Sequence, residues 1–289
     1  MDMTSKIVLE GLDFGEGPRW RDGHLYFSDF YRGGVYRCDV DAGTEERLFD
    51  VPTQPSGLGW LPDGRMLVVS MIDRKVLRRE ADGTLVEHAD LGGIATFHAN
   101  DMLVDATGRA YVGNFGFDLH AMLGEHDIPT ALGIVHASPG KYAARLALVQ
   151  PDGRVSPAGD PCLFPNGMVL LDGGETLVVA ETVALRLQAY DVAEDGSLSN
   201  GRTWAQFEDA APDGICVAPD GRSILIATAM HPEIRQVAEG GEVLATHAVS
   251  QVAYAVQTDG ARIFVMTAPD SHPREVDGKG LAKIEMIEP

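Results

Sequence analysis

Four residues whose side chains could hold a hard cation recur at one place in an internal repeat. Asn100, Asn166 and Asp213 each stand eight positions before a glycine, at Gly108, Gly174 and Gly221, and Ser56 stands likewise before Gly64. Glu16 precedes Gly23 by seven. Side chains at one phase of a repeat gather at one point in space. Glu16, Asn100, Asn166 and Asp213 would bring only oxygen donors there, two of them anionic. Oxygen ligands without His or Cys favour calcium, or magnesium or manganese, over structural zinc. Ser56 is a weaker ligand and a candidate substrate contact. Val252, at the sixth such position, is apolar and reads as wall or filler. Asn-Gly and Asp-Gly are also ordinary turn dipeptides, but turn chemistry alone does not impose a common register on separate repeats.

The elements that must position these residues follow from the same alignment. Each unit has two β-rich runs joined by a glycine turn, a hairpin signal. The turn glycines fall at 23, 64, 108, 174, 221 and 260, with spacings of 41, 44, 66, 47 and 39. A period of about 40 to 50 residues with several strands per unit predicts an all-β, six-bladed β-propeller. We read 1–289 as a single domain. In a propeller the first strand of each blade lines the central channel, so the anchors should crowd one mouth. The long spacing implies an insertion at about 115–142, a lid-like loop carrying Phe117, His120, Met122, His126 and Tyr142. Lys6–Glu10 has no blade of its own and is expected to pair near Leu281–Ile287, closing the ring and removing exposed edges. No regular helical segments alternate with the strands, which disfavours a parallel sheet. Trp20 and Trp60 share a strand phase and should be core. Asp63, Asp152 and Asp220, each in Pro-Asp-Gly-Arg, suit tight turns, with Arg65, Arg154 and Arg222 solvated.

The bulk properties narrow the function. The chain has 289 residues, 45% hydrophobic, with a formal net charge of -20. That apolar content can fill a sizeable core. The acidic balance argues against nucleic acid and anionic membranes as partners. Cys38, Cys162 and Cys216 lack metal-ligand spacing and read as buried, reduced thiols. With no secretory signal in Met1–Glu10 and no membrane-length apolar run, a cytoplasmic location is expected. Neither a phosphate-cradling glycine loop nor a Gly-x-Ser-x-Gly elbow occurs, so neither a nucleotide nor a serine acyl-enzyme is expected.

The ordered set Gly15-Glu16-Gly17-Pro18, Asn100-Asp101 before a Val-Asp-x-x-Gly turn, Pro165-Asn166-Gly167 and Pro212-Asp213-Gly214 resembles the family of gluconolactonases, senescence marker protein and luciferin-regenerating enzyme. Glu181–Leu187 also resembles the drug-responsive lactonase branch. The resemblance covers Gly15 to about Thr267. It implies a six-bladed propeller with a divalent metal held by Glu16, Asn166 and Asp213, with Asn100 at the metal or on the substrate. It implies lactone hydrolysis with Asp213 as general base. Many gluconolactonases carry an arginine two residues before the Asn100 equivalent; here that position is His98. A less polar lactone or ester therefore joins sugar lactones as an expected substrate.

On this reading the metal polarises the lactone carbonyl while a carboxylate takes a proton from water. Calcium is the foremost expectation; zinc, magnesium, manganese or iron suit the same cage. His98 and His120 are candidate substrate contacts and proton carriers. His126 and His231 read as surface residues. Three alternatives remain: a phosphotriesterase-like hydrolase on the same metal site, a metal-free lyase or condensing enzyme of the strictosidine-synthase type, and a binding scaffold whose metal only joins the blades. The oligomeric state is open.

Overall fold

The computed structural model describes residues 5–288, and they form six four-stranded antiparallel sheets arranged as a six-bladed β-propeller. Blade one comprises Gly15–Arg21, His24–Asp29, Gly34–Asp39 and Thr44–Asp50. Blade two comprises Pro55–Trp60, Met66–Ser70, Lys75–Arg79 and Leu85–Asp90; blade three Ala99–Val104, Ala110–Asn114, Ala144–Val149 and Val155–Cys162. Blade four comprises Pro165–Leu171, Thr176–Glu181, Arg186–Val192 and Leu198–Gln206. Blade five comprises Ile215–Val217, Ile224–Ala227, Glu233–Val237 and Val243–Ala248. Blade six takes Val252–Thr258, Ile263–Ala268 and Ala282–Ile287, and Lys6–Leu12 supplies its outermost strand. The expected closure is therefore present: Lys6 faces Met286 and Leu12 faces Ala282 across an antiparallel ladder.

Apolar residues alternate along the strands so that adjacent blades bury one another. Leu25, Phe27, Leu67, Val69, Phe264 and Ile284 are all fully buried in one continuous cluster. The turns follow side-chain logic: Asp63, Asp152 and Asp220 each accept the amide N–H two residues on, as Asx-turns do. Arg65 is not simply solvated, because it pairs with Asp63 and Glu80. Trp20 and Trp60 are half-buried rather than core. Trp20 stacks on Phe264 under the Arg262 guanidinium, and Trp60 meets Tyr26 edge-on beneath Arg21. The three cysteines are buried and unpaired, and burial pushes each thiol up to about 12.

The insertion is helical rather than a loop. It holds α1 (Leu119–Glu125), α2 (Ile128–Ala137) and α3 (Pro139–Tyr142); α4 (Pro273–Val276) lies in blade six. Asp118 caps α1 by accepting from the Ala121 N–H, and Asp127 caps α2 through the Thr130 N–H, with a proline in its first turn. These are regular helix-start signals. Val135 and Tyr142 pack on Phe164 and Val183, and the His136 ring bonds the Val183 carbonyl at 2.7 Å, fastening the helices to blade four. No helix among the described residues is long and apolar enough to cross a membrane.

Candidate metal centre and substrate cavity

The inner strands break register where the anchors sit. Pairing slips between Glu16 and Arg19, Pro55 and Leu58, Ala99 and Met102, and Pro165 and Met168. A bulge bends a strand and re-aims a side chain, and here it recurs at the same place in four blades. In blade five the strand starts only at Ile215, yet the Asp213 N–H still bonds the Ala227 carbonyl at 3.0 Å. Glycines beside three anchors let the blades close up. A Cβ on Gly57 would fall 2.2 Å from the Met102 nitrogen, one on Gly167 2.5 Å from the Ile215 nitrogen, and one on Gly214 2.6 Å from the Ala255 Cα. The Gly167 N–H donates to the Asp213 carbonyl at 3.2 Å and the Gly214 N–H to the Tyr254 carbonyl at 2.8 Å. Backbone contact between blades thus sets how far apart the anchors stand.

Glu16, Ser56, Asn100, Asn166 and Asp213 are all buried. The Asn166 amide nitrogen donates to the Asp213 carboxylate and, at 3.3 Å, to the Thr182 hydroxyl. Its carbonyl oxygen is thereby left to face other partners. Glu16 accepts the Gly17 N–H at 3.0 Å. Burial, then the Asp213 and Asp101 charges, hold the Glu16 carboxyl well above its ordinary range. Burial, then Asp101, does the same to Asp213. Among the described residues no Lys or Arg bonds either carboxylate. The nearby Arg19 is committed to Asp101, at 3.1 Å, and to the Met102 carbonyl.

Two buried carboxylates without a cationic partner are costly unless a cation compensates them. Asn100 has a further deficit: its buried amide nitrogen has no partner, while its oxygen accepts from the Ser56 hydroxyl at 3.4 Å. Reversing the amide, a choice the hydrogen-bond network must decide, would let nitrogen donate to Ser56 and turn oxygen inward. Both features fit a divalent cation bound by oxygen. No three His, Cys, Asp or Glu side chains converge among the described residues, so any such centre is completed by the asparagine amides.

Above the anchors lies a cavity of about 1200 Å³. Glu16, Asn100, Asn166 and Asp213 line it, as do Val252, His98, His120 and, at the exposed edge, His126. Ser56 does not; it lies behind Asn100 and orients its amide. Phe117, Met122 and Tyr142 pack within the helical cap instead of facing the cavity. His98 is half-buried and stacks on Phe97 at 4.2 Å. Burial pushes its pKa below the ordinary 6.5. His120 is lowered by burial and then by His272, whose ring lies 5.3 Å away. Both rings are therefore neutral near pH 7. His231 bonds the Asp209 carbonyl and lies outside the cavity. Glu181 is likewise structural, accepting from the Leu163 N–H and Arg186.

Sequence reasoning gave no role to Asp101, Tyr254, Thr182 or His272. Asp101 carried a usable signal: it fills the position after the anchor that is glycine in blades one, two, four and five. Gly57 makes room for it, with its notional Cβ 2.8 Å from Asp101 Oδ1. Thr182 and His272 lie in connections after second strands, and Tyr254 stands two residues past Val252, where the repeat marks no polar role.

The chain shares its fold with several solved propellers. It matches a luciferin-regenerating enzyme at a TM-score of 0.79 and 16% identity, covering 99% of this chain and 95% of that one. It matches a calcium-binding protein, regucalcin, from Agrobacterium tumefaciens at 0.75 and 17%, covering 99% and 95%. A gluconolactonase from Xanthomonas campestris matches at 0.74 and 20%, covering 98% and 88%. At these identities the likeness concerns the fold. The family described as SMP-30/Gluconolactonase/LRE-like region matches residues 14–268, and with the anchors in their expected order the chain belongs to that family.

Proposed function

We propose that this protein is a divalent-metal-dependent hydrolase that opens a lactone. The observation that carries the reading is the pair of buried carboxylates, Glu16 and Asp213, beside two asparagine amides at the floor of a large cavity, with no Lys or Arg bonded to either among the described residues. Glu16, Asn166 and Asp213 would hold the metal, with Asn100 beside them. Calcium suits an all-oxygen set of this kind; the regucalcin neighbour is itself named calcium-binding. When bound, the cation supplies Lewis-acid polarisation of the lactone carbonyl.

The chain's own groups supply the rest. Asp213, whose carboxylate lines the cavity floor, takes the proton from the attacking water. Asn100, its amide nitrogen turned to the Ser56 hydroxyl and its oxygen inward, adds an oxygen donor beside Glu16, Asn166 and Asp213. His98 and His120, neutral and at the cavity wall, can each take up at one ring nitrogen the proton removed from water and release one to the ring oxygen as it leaves. The cap of α1 and α2 limits access of bulk water.

The test is hydrolysis of an aldonic and aliphatic lactone panel with chelator, and then with calcium restored. Loss and recovery of activity would establish a metallolactonase. Retained activity in chelator with no metal bound would point to a metal-free lyase-like propeller. Metal binding without lactone turnover would favour the phosphotriesterase or scaffold alternative.

A further inference from the structure

The polar groups of the cavity gather at its floor, at His98 and His120, and at its outer edge. Between them the wall is apolar, formed by Phe97, Phe115, Phe164 and Tyr254 from the blades and by Leu123 and Leu132 from the cap. A sugar ring carries a hydroxyl on almost every carbon and needs a polar partner for each when buried. This wall offers few. The apolar surface also continues outwards: Ile72 and Ile128, each 46% exposed, line the same cavity. Exposed isoleucines at the mouth of a cavity suit an apolar ligand that extends beyond it.

The charge at the outer edge is mostly negative. Asp118, Asp127, Asp270 and Glu275 line it and are exposed, against a single arginine, Arg274, among the described lining residues. On a chain of net charge -20, that edge disfavours an anionic substrate such as a phosphorylated or carboxylated lactone. It equally favours departure of the hydroxy-acid anion that ring opening produces.

We infer that the substrate is a neutral lactone with an unbranched or aryl apolar substituent of several carbons, the ring on the anchors and the substituent along the Leu123–Ile128 side of the cap. This rests on the hydrolase reading for the word lactone, while the apolar, neutral character rests on the wall and edge alone.

The experiment separates the two. Calcium-loaded protein is given γ-lactones with side chains of one to eight carbons, glucono-1,5-lactone, and non-hydrolysable γ-lactams of the same chain lengths. Turnover is followed for the lactones, and calorimetric binding for the lactams. Each methylene seated on the wall should improve kcat/KM and lactam affinity by about fourfold, and glucono-1,5-lactone should be the poorer substrate. Leu123→Asn and Ile128→Asn should flatten both series. Neither side chain belongs to the packed core of the cap, so melting curves should match the native protein and exclude misfolding. A lactam series that strengthens with chain length, without turnover of any lactone, would refute the hydrolase reading and uphold the apolar site. A flat lactam series, or preference for glucono-1,5-lactone, would overturn the inference.

Discussion

Replacing Gly167 with alanine tests whether contact between blades sets the spacing of the anchors. The new Cβ would stand 2.5 Å from the Ile215 nitrogen and 2.6 Å from the Asp213 oxygen, both backbone atoms that cannot swing aside. Ordinary contact starts near 3.4 Å, so blades four and five must part by 3.4 minus 2.5, or 0.9 Å. The Gly167–Asp213 hydrogen bond, now 3.2 Å, would stretch to about 4 Å and cease to be one. Overpacking costs about 1–3 kcal/mol and the lost bond about 1 kcal/mol. With an unfolding entropy of about 2.1 cal/mol/K per residue, 289 residues give about 0.6 kcal/mol per degree, and Tm should fall by about 3–7 °C. Asn166 and Asp213 would separate by a similar distance. Metal ligation tolerates errors of only about 0.2 Å, so calcium affinity should weaken at least about tenfold. Gly133→Ala in α2 is the control: nothing lies within 4 Å of its Cβ, and helix propensity favours alanine by up to about 1 kcal/mol. Scanning calorimetry and calcium titration of both variants decide. If Gly167→Ala melts with Gly133→Ala and binds calcium with native affinity, the close-approach argument fails.

Asp213→Asn should leave the fold intact and lower kcat by about 10²–10⁴, the worth of a general base; most of the activity surviving would refute the assignment. The raised pKa values of Glu16 and Asp213 mean that metal-free folded protein holds protons which the unfolded chain has released. The stabilising effect is full below the ordinary 3.8–4.5 of these groups and is lost as pH rises through their folded values. Chelated protein should therefore melt lower at pH 8 than at pH 5, with calcium at 100 times its Kd adding about 2.7 kcal/mol, or about 4 °C, at pH 8 and less at pH 5. A calcium shift independent of pH would sink this. Removing the chain through Leu12 takes away a seven-residue strand. At about 1 kcal/mol per ladder bond the loss is about 5 kcal/mol, near 8 °C, and an unchanged melt would show that closure contributes nothing.

The ring and its anchors could be read from the sequence because both depend on a repeat. The glycine turns give the blade period, and the residue one phase earlier gives the anchor, whatever the rest of the blade contains. The bulge that aims each anchor left no mark of its own, since it is a pairing slip and not a residue type. Ser56 shares the phase but does not line the cavity: it lies behind Asn100, a distinction only neighbouring blades can make. The cap's helices are legible in Asp118 and Asp127 and in the proline that follows Asp127, signals that the expectation of a loop between strands passes over. Trp20 and Trp60 were placed too deep because one strand phase does not distinguish the inner strand's middle from its outer end. The apolar wall was not legible because the repeat marks polar anchors: Phe164 stands just before an inner strand, Phe115 just after a second strand and Tyr254 two residues past Val252, positions the period does not single out, and the cap belongs to the insertion.

The sixth blade joins Lys6 to Met286, partners 280 positions apart. Each other blade can form from its own contiguous stretch, but this one waits for both. During synthesis five blades can therefore assemble as an open arc while the strand Lys6–Leu12, already made, has no edge to pair with. The last register is chosen late, among long-range contacts that form slowly. Until then the arc presents two unpaired edges, so a ribosome paused before Ala282 would display its most aggregation-prone nascent form.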